Sequence, residues 1–242
     1  TEAFGLHLAE AINEQGYKVI RLDPEINLPD GKVFPKRMRN ISKTLYQQVF
    51  YKLPTVRRFS SRKLYSRMKE QSIDLTISLH DFLSREEVVE IKRITKSPVC
   101  IWFPDALSNF QKSMFFYAGY DFLFFKDRYL VKQLREELRL NTFYLPQCCN
   151  PDKHKPVNIS PTERESYGCD ITNAGNLYPS RAALLSQLLV DYKIKLWGNL
   201  PPIWLNAPEF NSIVMGKLVF NEEKAKAFGA AKVVLNNLHP AE

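Results

Sequence analysis

The sequence predicts an α/β fold built from two doubly wound units, each a parallel β-sheet with helices on its faces. Short, nearly continuous apolar runs alternate with helical patterns along most of the chain, and this rhythm is typical of parallel strands joined by helices. The rhythm breaks once, after Leu145, in a polar stretch punctuated by prolines, which helix interiors and central strands tolerate poorly. The predicted division is a first unit at 1–146, a linker at 147–165 and a second unit at 166–242.

The composition is that of an ordinary globular protein. The 242 residues suffice for two domains, and 45% hydrophobic with 25% charged residues is the balance of a chain with a packed core. No apolar run approaches the roughly 18 residues of a membrane span, and no signal-peptide pattern opens the sequence. The four cysteines form no C-x-x-C pair, and the adjacent Cys148 and Cys149 have poor geometry for bridging each other. A reduced, cytoplasmic protein is therefore predicted.

The chain begins on a predicted helix. Its apolar residues at helical spacing are Ala3, Phe4, Leu8, Ala11 and Ile12. Gly16 is placed to end this helix, and Tyr17–Leu22 has the pattern of a strand. Because an α/β domain normally begins with a strand, we expect the first strand and its loop to be missing. Few residues follow the linker, so the second unit is expected to be incomplete as well.

The remaining strands and helices follow in regular order. In the first unit the predicted strands are Leu75–Leu79, Pro98–Phe103 and Phe122–Phe125. Ser84 and Glu87 predict a capping box for the helix after the first of these strands, and Asp127 is placed to cap another helix. In the second unit the predicted elements are strand Cys169–Ala174, helix 180–190, strand Ile194–Trp197, a helix capped by Asn221 and strand Val233–Leu235.

A basic patch lies between Lys32 and Lys69. This stretch holds twelve Lys or Arg residues and no acidic residue, so the net charge of +8 is local and the rest of the chain is net negative. Helices are predicted near 40–52 and 60–71, with aromatic residues between the cations. The pattern is typical of a solvated helix face over an aromatic core. It equally suits an anionic membrane, an anionic acceptor or single-stranded nucleic acid. The candidate contacts are Arg57, Arg58 and Arg62.

Candidate site residues follow the carboxyl ends of the predicted strands, where open parallel sheets bind their ligands. This rule selects His80, Asp81, Asp105, Gly175, Asn176, Gly198 and the segment Asn236–His239. The sequence has no G-x-G-x-x-G and no G-x-x-x-x-G-K-[ST] motif, so no standard dinucleotide or P-loop site is predicted. The histidines and cysteines lack the close spacing of zinc ligands, so no metal site is predicted.

Arg181 is the most informative candidate. It falls in the first turn of a helix for which Ser180 is the predicted N-cap, and a cation there opposes the positive end of the helix dipole. A bound anion such as a diphosphate removes this conflict, although an exposed Arg turned to solvent fits equally well. His80 can act as a general base or as a donor to a substrate hydroxyl, and Asp105 can act as a base. The alternatives are a structural histidine and a cap or turn residue.

Five segments of the chain are similar to segments of one enzyme family. They are DLTISLHD ending at Asp81, YLPQCCNPDKHKP across the linker, CDITNAGNLYPSRAALLSQL, IKLWG and EEKAKAFGAAKVVLNNLHPAE. In these segments the chain resembles GT-B glycosyltransferases of the spore-maturation CgeB/YkvP-like group. The resemblance covers most of the chain from about Asp74 onward. It implies two Rossmann-like domains, of which the first faces the acceptor and the second binds the donor.

The resemblance also implies a reaction. A sugar would pass from a nucleotide-diphospho-sugar to a hydroxyl of a glycan, lipid or protein, without a metal or other cofactor. Carried over residue by residue, Gly175, Asn176 and Arg181 would cradle the donor diphosphate and Gly198 would lie near the base. Asn236 and His239 would face the donor, His80 would face the transferred sugar, and Asp105 is the candidate acceptor-side base.

Two other function classes stay open. The first is a non-catalytic module of the same fold that binds a sugar nucleotide or an anionic glycan. The second, less favoured, is a nucleic-acid-binding protein that uses the basic patch, and its affinity would fall steeply with salt. An anionic membrane surface is a further candidate partner of the patch, so membrane association of a cytoplasmic enzyme is included in the expectation.

Overall fold

The computed structural model describes residues 2–22, 54–79, 83–105, 114–199 and 208–236. The chain divides into two compact units, Thr1–Gln147 and Cys148–Glu242. The predicted first unit ends one residue before this division. The helix predicted near 40–52 lies outside the described residues.

The first unit contains a four-stranded parallel sheet. Its strands are β1 (Thr76–Leu79), β2 (Val99–Phe103), β3 (Phe122–Phe125) and β4 (Thr142–Tyr144). They lie in the order β1-β2-β3-β4. The register places Ile101 beside Leu123 and Phe124 beside Phe143. Because every neighbour is parallel, all four carboxyl ends meet at one edge of the sheet.

Five helices of the described residues belong to this unit. They are α1 (Glu2–Glu14), α2 (Pro54–Lys69), α3 (Arg85–Thr95), α4 (Phe115–Ala118) and α5 (Arg128–Leu138). The predicted capping box is confirmed, since Ser84 and Glu87 bond reciprocally at the start of α3. The predicted cap of α5 is confirmed too, because the Asp127 side chain accepts from the Tyr129 and Leu130 N–H groups. None of the described helices is both long and apolar enough to cross a membrane.

The alternation of side chains along β2 and β3 divides the apolar residues between the two faces of the sheet. Val99, Ile101 and Phe103 join Leu123 and Phe125 in the main core, together with residues of the helices. Cys100, Trp102, Phe122 and Phe124 point to the opposite face. There they line an apolar cavity of about 430 Å³ with Leu8, Leu75, Ile77 and Leu145. Helix α1 packs on this second face, where the Phe4 and Trp102 ring centroids are 5.0 Å apart.

The second unit contains a three-stranded parallel sheet. Its strands are β5 (Cys169–Ala174), β6 (Ile194–Trp197) and β7 (Ala231–Val234), in the order β6-β5-β7. The helices of its described residues are α6 (Pro161–Tyr167), α7 (Pro179–Leu188) and α8 (Asn221–Gly229). Helix α6 occupies part of the predicted linker, because Ser160 and Glu163 form a capping box and Pro161 fits the first helical position.

Several predicted boundaries are wrong. Tyr17–Leu22 is not a strand, since it pairs with no strand of the described residues; the Val19 N–H donates to Asn13 Oδ1 at 3.1 Å instead. Helix α7 begins at Pro179, because proline is preorganised for the first helical position, so Tyr178 and not Ser180 is its N-cap. Asn221 is the first residue of α8, and Phe220 occupies the N-cap position.

Candidate functional site

The carboxyl edge of the second sheet gathers most of the candidate donor residues. Gly175 follows β5, Gly198 follows β6, and Asn236 lies two residues after β7. The loop after β5 leads into α7, whose first turn holds Arg181. Since β5 is the central strand, the three strand ends and the amino end of α7 lie together.

Two glycines allow the loops after β5 and β6 to touch. The Gly175 N–H donates to the Trp197 carbonyl at 2.9 Å. A Cβ atom on Gly198 would lie 2.5 Å from the Gly175 carbonyl oxygen, a distance that a real side chain does not adopt. Gly175 has a φ of +149°, which other residues rarely adopt, and a Cβ there would lie 3.3 Å from Arg181 Nη1. Gly175 is exposed, so a ligand can approach the backbone after β5 closely, whereas Gly198 is buried against Gly175.

Arg181 is held over this backbone by neutral groups. Its Nη1 donates to the Asn176 carbonyl at 2.6 Å and to Asn173 Oδ1 at 3.2 Å. The centre of the guanidinium lies 5.6 Å from the centroid of the Tyr178 ring. The side chain is half-buried, so it is not turned fully into solvent. These contacts fix the cation at the edge of the sheet.

The charge of Arg181 is poorly solvated. Burial lowers the pKa of Arg181 from its ordinary value, and the hydroxyl of Tyr178 offsets only part of this effect. Arg93 on the first unit shows the opposite behaviour, because the hydrogen bonds that it donates to the Glu90 carboxylate raise its pKa. An anion beside Arg181 would raise this pKa, because a nearby negative charge favours the charged form of the guanidinium.

Asn173 is a site residue that the sequence reasoning missed. It is only 5% exposed, and its amide accepts from Arg181 and donates Nδ2 to the Leu235 carbonyl at 2.6 Å. One side chain thus connects the arginine to the end of β7, next to Asn236. A signal was present in the sequence, because an Asn inside the apolar strand Cys169–Ala174 must find buried hydrogen-bond partners.

The sheet beneath the site is tied together by a second buried polar side chain. Thr172 Oγ1 accepts from the Trp197 indole N–H at 3.1 Å and donates to the Lys195 carbonyl at 3.1 Å. The Thr172 carbonyl also accepts from the Leu235 N–H at 2.8 Å. All three strands are linked just below the loops, which gives the edge a rigid base.

Only some of the remaining candidate site residues lie in the part of the chain that the structure describes. His80, Asp81 and His239 lie outside the described residues, although β1 ends at Leu79, directly before the first two. Asp105 is half-buried and follows β2 at the carboxyl edge of the first sheet. The Gln147 side chain donates a hydrogen bond to the carbonyl of Pro104, the residue directly before Asp105. The roles predicted for these residues stay predictions.

Arg57 of the basic patch is engaged inside the first unit. It forms an ion pair with Glu87, which is only 5% exposed and also accepts from Ser61 Oγ at 2.7 Å. The pair joins α2 to α3, so this guanidinium serves packing rather than an exposed surface. Arg62 is exposed, and the Arg58 side chain lies outside the described residues.

Comparison with known proteins leaves the family open. No protein-family model matches the chain, and no curated protein matches it either. Within the described residues, no group of three or more His, Cys, Asp or Glu side chains is arranged to hold a metal ion. The resemblance to GT-B glycosyltransferases therefore stays a prediction, and the function is argued from the geometry.

Proposed function

We propose that the protein is a GT-B-type glycosyltransferase that binds a nucleotide-diphospho-sugar at the carboxyl edge of its second sheet. The observation that carries the proposal is the position of the half-buried Arg181 in the first turn of α7, where it donates to the Asn176 carbonyl and to Asn173 Oδ1 close to the exposed Gly175. The resemblance of the sequence to this enzyme group supports the same assignment.

The geometry suits a diphosphate in three ways. The exposed Gly175 lets phosphate oxygens approach the backbone after β5. The amino end of α7 supplies the positive end of a helix dipole, and the Tyr178 side chain makes no capping hydrogen bond there. Arg181, in the first turn of that helix, adds a planar cation that can bond two phosphate oxygens at once.

In the proposed reaction, the bond between the sugar and the diphosphate breaks while the acceptor oxygen bonds to the same sugar carbon. Arg181 and the α7 amino end stabilise the charge that develops on the leaving diphosphate, which is the task a metal ion performs in other transferases. Asp105 takes the proton of the acceptor hydroxyl, and His80 donates a hydrogen bond to the transferred sugar. In this mechanism transfer persists in the presence of EDTA.

Binding is tested first with a thermal-shift screen of UDP-, GDP- and dTDP-sugars, followed by calorimetry of the stabilising nucleotide. Arg181→Ala should weaken binding of the nucleoside diphosphate far more than binding of the nucleoside, because only the former carries phosphates. Arg181→Lys should recover part of the loss. The matched control is Arg164→Ala, an exposed arginine of the same unit. Equal losses for diphosphate and nucleoside would rule out the phosphate role.

A non-catalytic sugar-nucleotide module would bind in the same way, since the binding geometry lies within the second unit. Turnover separates the two functions. Hydrolysis or transfer of the stabilising nucleotide sugar, lost in Asp105→Asn while nucleotide binding persists, supports the transferase. If the full chain binds the nucleotide sugar but neither hydrolyses nor transfers it, the protein is a non-catalytic binding module instead.

A further inference from the structure

Two adjacent cysteines lie where the two units meet along the chain. Gln147 ends the first unit and Cys148 begins the second. Both Cys148 and Cys149 are free and exposed, and the stretch from 145 to 150 forms no helix or strand. The other two cysteines are buried: burial raises the pKa of Cys100 to about 11 and also raises the pKa of Cys169. The chain therefore has one reactive pair and two protected thiols.

A disulfide within the pair is strained. Neighbouring Cα atoms are about 3.8 Å apart across a trans peptide, whereas disulfides usually need about 4.4–6.8 Å. A single thiophilic atom bound to both sulfurs avoids this strain, because two bonds to a large central atom let the sulfurs stand further apart than in a disulfide.

The number of ligands decides which atom fits. Structural zinc takes four protein ligands. Within the part of the chain that the structure describes, no group of three or more suitable side chains is present, so these residues offer the pair no further ligands for a zinc site. A trivalent arsenic atom that carries one organic group needs only two thiolates.

We propose that Cys148 and Cys149 form a bidentate binding site for trivalent monoorganoarsenicals. Two sulfur–arsenic bonds form and the arsenic–oxygen bond of the arsenical breaks. The two thiol protons leave with that oxygen as water, and no electron is transferred. The site does not depend on sugar transfer, and it lies directly after Gln147, whose side chain holds the carboxyl end of β2 through Pro104.

Phenylarsine oxide tests the site on the full chain. We expect intact-mass analysis to show one phenylarsenic group added per chain, with loss of both thiols that react with Ellman's reagent in the native protein. The label should resist excess 2-mercaptoethanol and be released by 2,3-dimercaptopropanol, because only a dithiol can replace both sulfurs together.

The variants Cys148→Ser and Cys149→Ser should each lose the label in 2-mercaptoethanol, since one thiolate alone holds arsenic weakly. Cys169→Ser is the matched control and should behave like the wild type; Cys100→Ala serves the same purpose should that variant not fold. Release of the wild-type label by the monothiol would overturn the proposal. The proposal would also be overturned if either Cys148→Ser or Cys149→Ser retained the phenylarsenic label in 2-mercaptoethanol as firmly as the wild type does.

Discussion

At the scale of single residues, Asn173 orients Arg181 through a neutral hydrogen bond. An amide at this buried position can accept from the guanidinium and donate to the Leu235 carbonyl at the same time. A carboxylate of the same shape would instead neutralise the cation and repel that carbonyl. The neutral amide therefore orients Arg181 without adding a negative charge beside it.

The substitution Asn173→Asp tests this role. The new carboxylate should raise the pKa of Arg181 and compete with the ligand, so affinity for the nucleoside diphosphate should fall about tenfold or more. Affinity for the nucleoside should change much less, and calorimetry of both ligands measures the difference. Asp170→Asn, at the opposite end of β5, is the control. An unchanged ratio of the two affinities would show that Asn173 has only a structural role.

At the scale of elements, the contact between the loops after β5 and β6 is possible because Gly198 has no side chain. In Gly198→Ala the new Cβ would meet the Gly175 backbone, which cannot rotate away. We expect a loss of about 1–3 kcal/mol in the free energy of unfolding, measured by urea denaturation. Gly229→Ala is the matched control, since its Cβ would lie 2.9 Å from Ile159 Cδ1, the movable end of a side chain. Equal losses in both variants would contradict the argument.

Helices α6 and α8 are joined by an ion pair that makes stability depend on pH. Glu163 accepts from Lys226 at 2.8 Å, and this contact, followed by the capping bonds of Ser160, lowers the pKa of Glu163 from 4.5 to about 2. Because the pKa is lower in the folded state, the stabilisation is present above pH 4.5 and is lost as the pH falls towards 2. The pair is partly exposed, so solvent screens it and the effect is small.

The variant Glu163→Gln should show a flatter decline of stability between these two pH values, measured by thermal denaturation at each pH. Glutamine keeps the capping box of α6 while it removes the charge, so the helix itself is preserved. Glu165→Gln, an exposed residue of the same helix, should leave the pH dependence as it is in the wild type. A decline in Glu163→Gln as steep as in the wild type would mean that the ion pair does not carry this pH dependence.

At the scale of the whole molecule, each unit has a sheet and a core of its own. A ligand stabilises the unit that binds it. We therefore expect a nucleoside diphosphate to slow amide hydrogen exchange in β5, β6 and β7 while β2 and β3 stay unchanged. Exchange followed by mass spectrometry measures this, with the nucleoside as the weaker control. Protection of the first sheet alone would show that the nucleotide binds to the first unit instead, and would contradict the proposal.

The sequence predicted the sheets better than the site. The apolar run 99–103 locates a strand because a strand buried on both faces must be apolar throughout. The predicted capping box at Ser84 is local, so its residues suffice to define it, whereas the box at Ser160 lies in the stretch predicted as a linker. The strand predicted at Tyr17–Leu22 is wrong because a strand forms only beside a partner strand, and a local sequence pattern does not show whether that partner exists. The role of Asn173 depends on contacts with residues far along the chain, and spacing does not reveal those contacts.

The hydrogen bond between Trp197 and Thr172 has a consequence for spectroscopy. This indole is only 6% exposed and directly precedes Gly198, so its emission should be blue-shifted and sensitive to events at the loop beside it. The chain has three tryptophans, and replacing Trp102 and Trp204 by Phe would leave Trp197 as the single emitter. The fold thus carries a built-in fluorophore at the edge of the proposed donor site, from which occupancy can be followed in real time without a label.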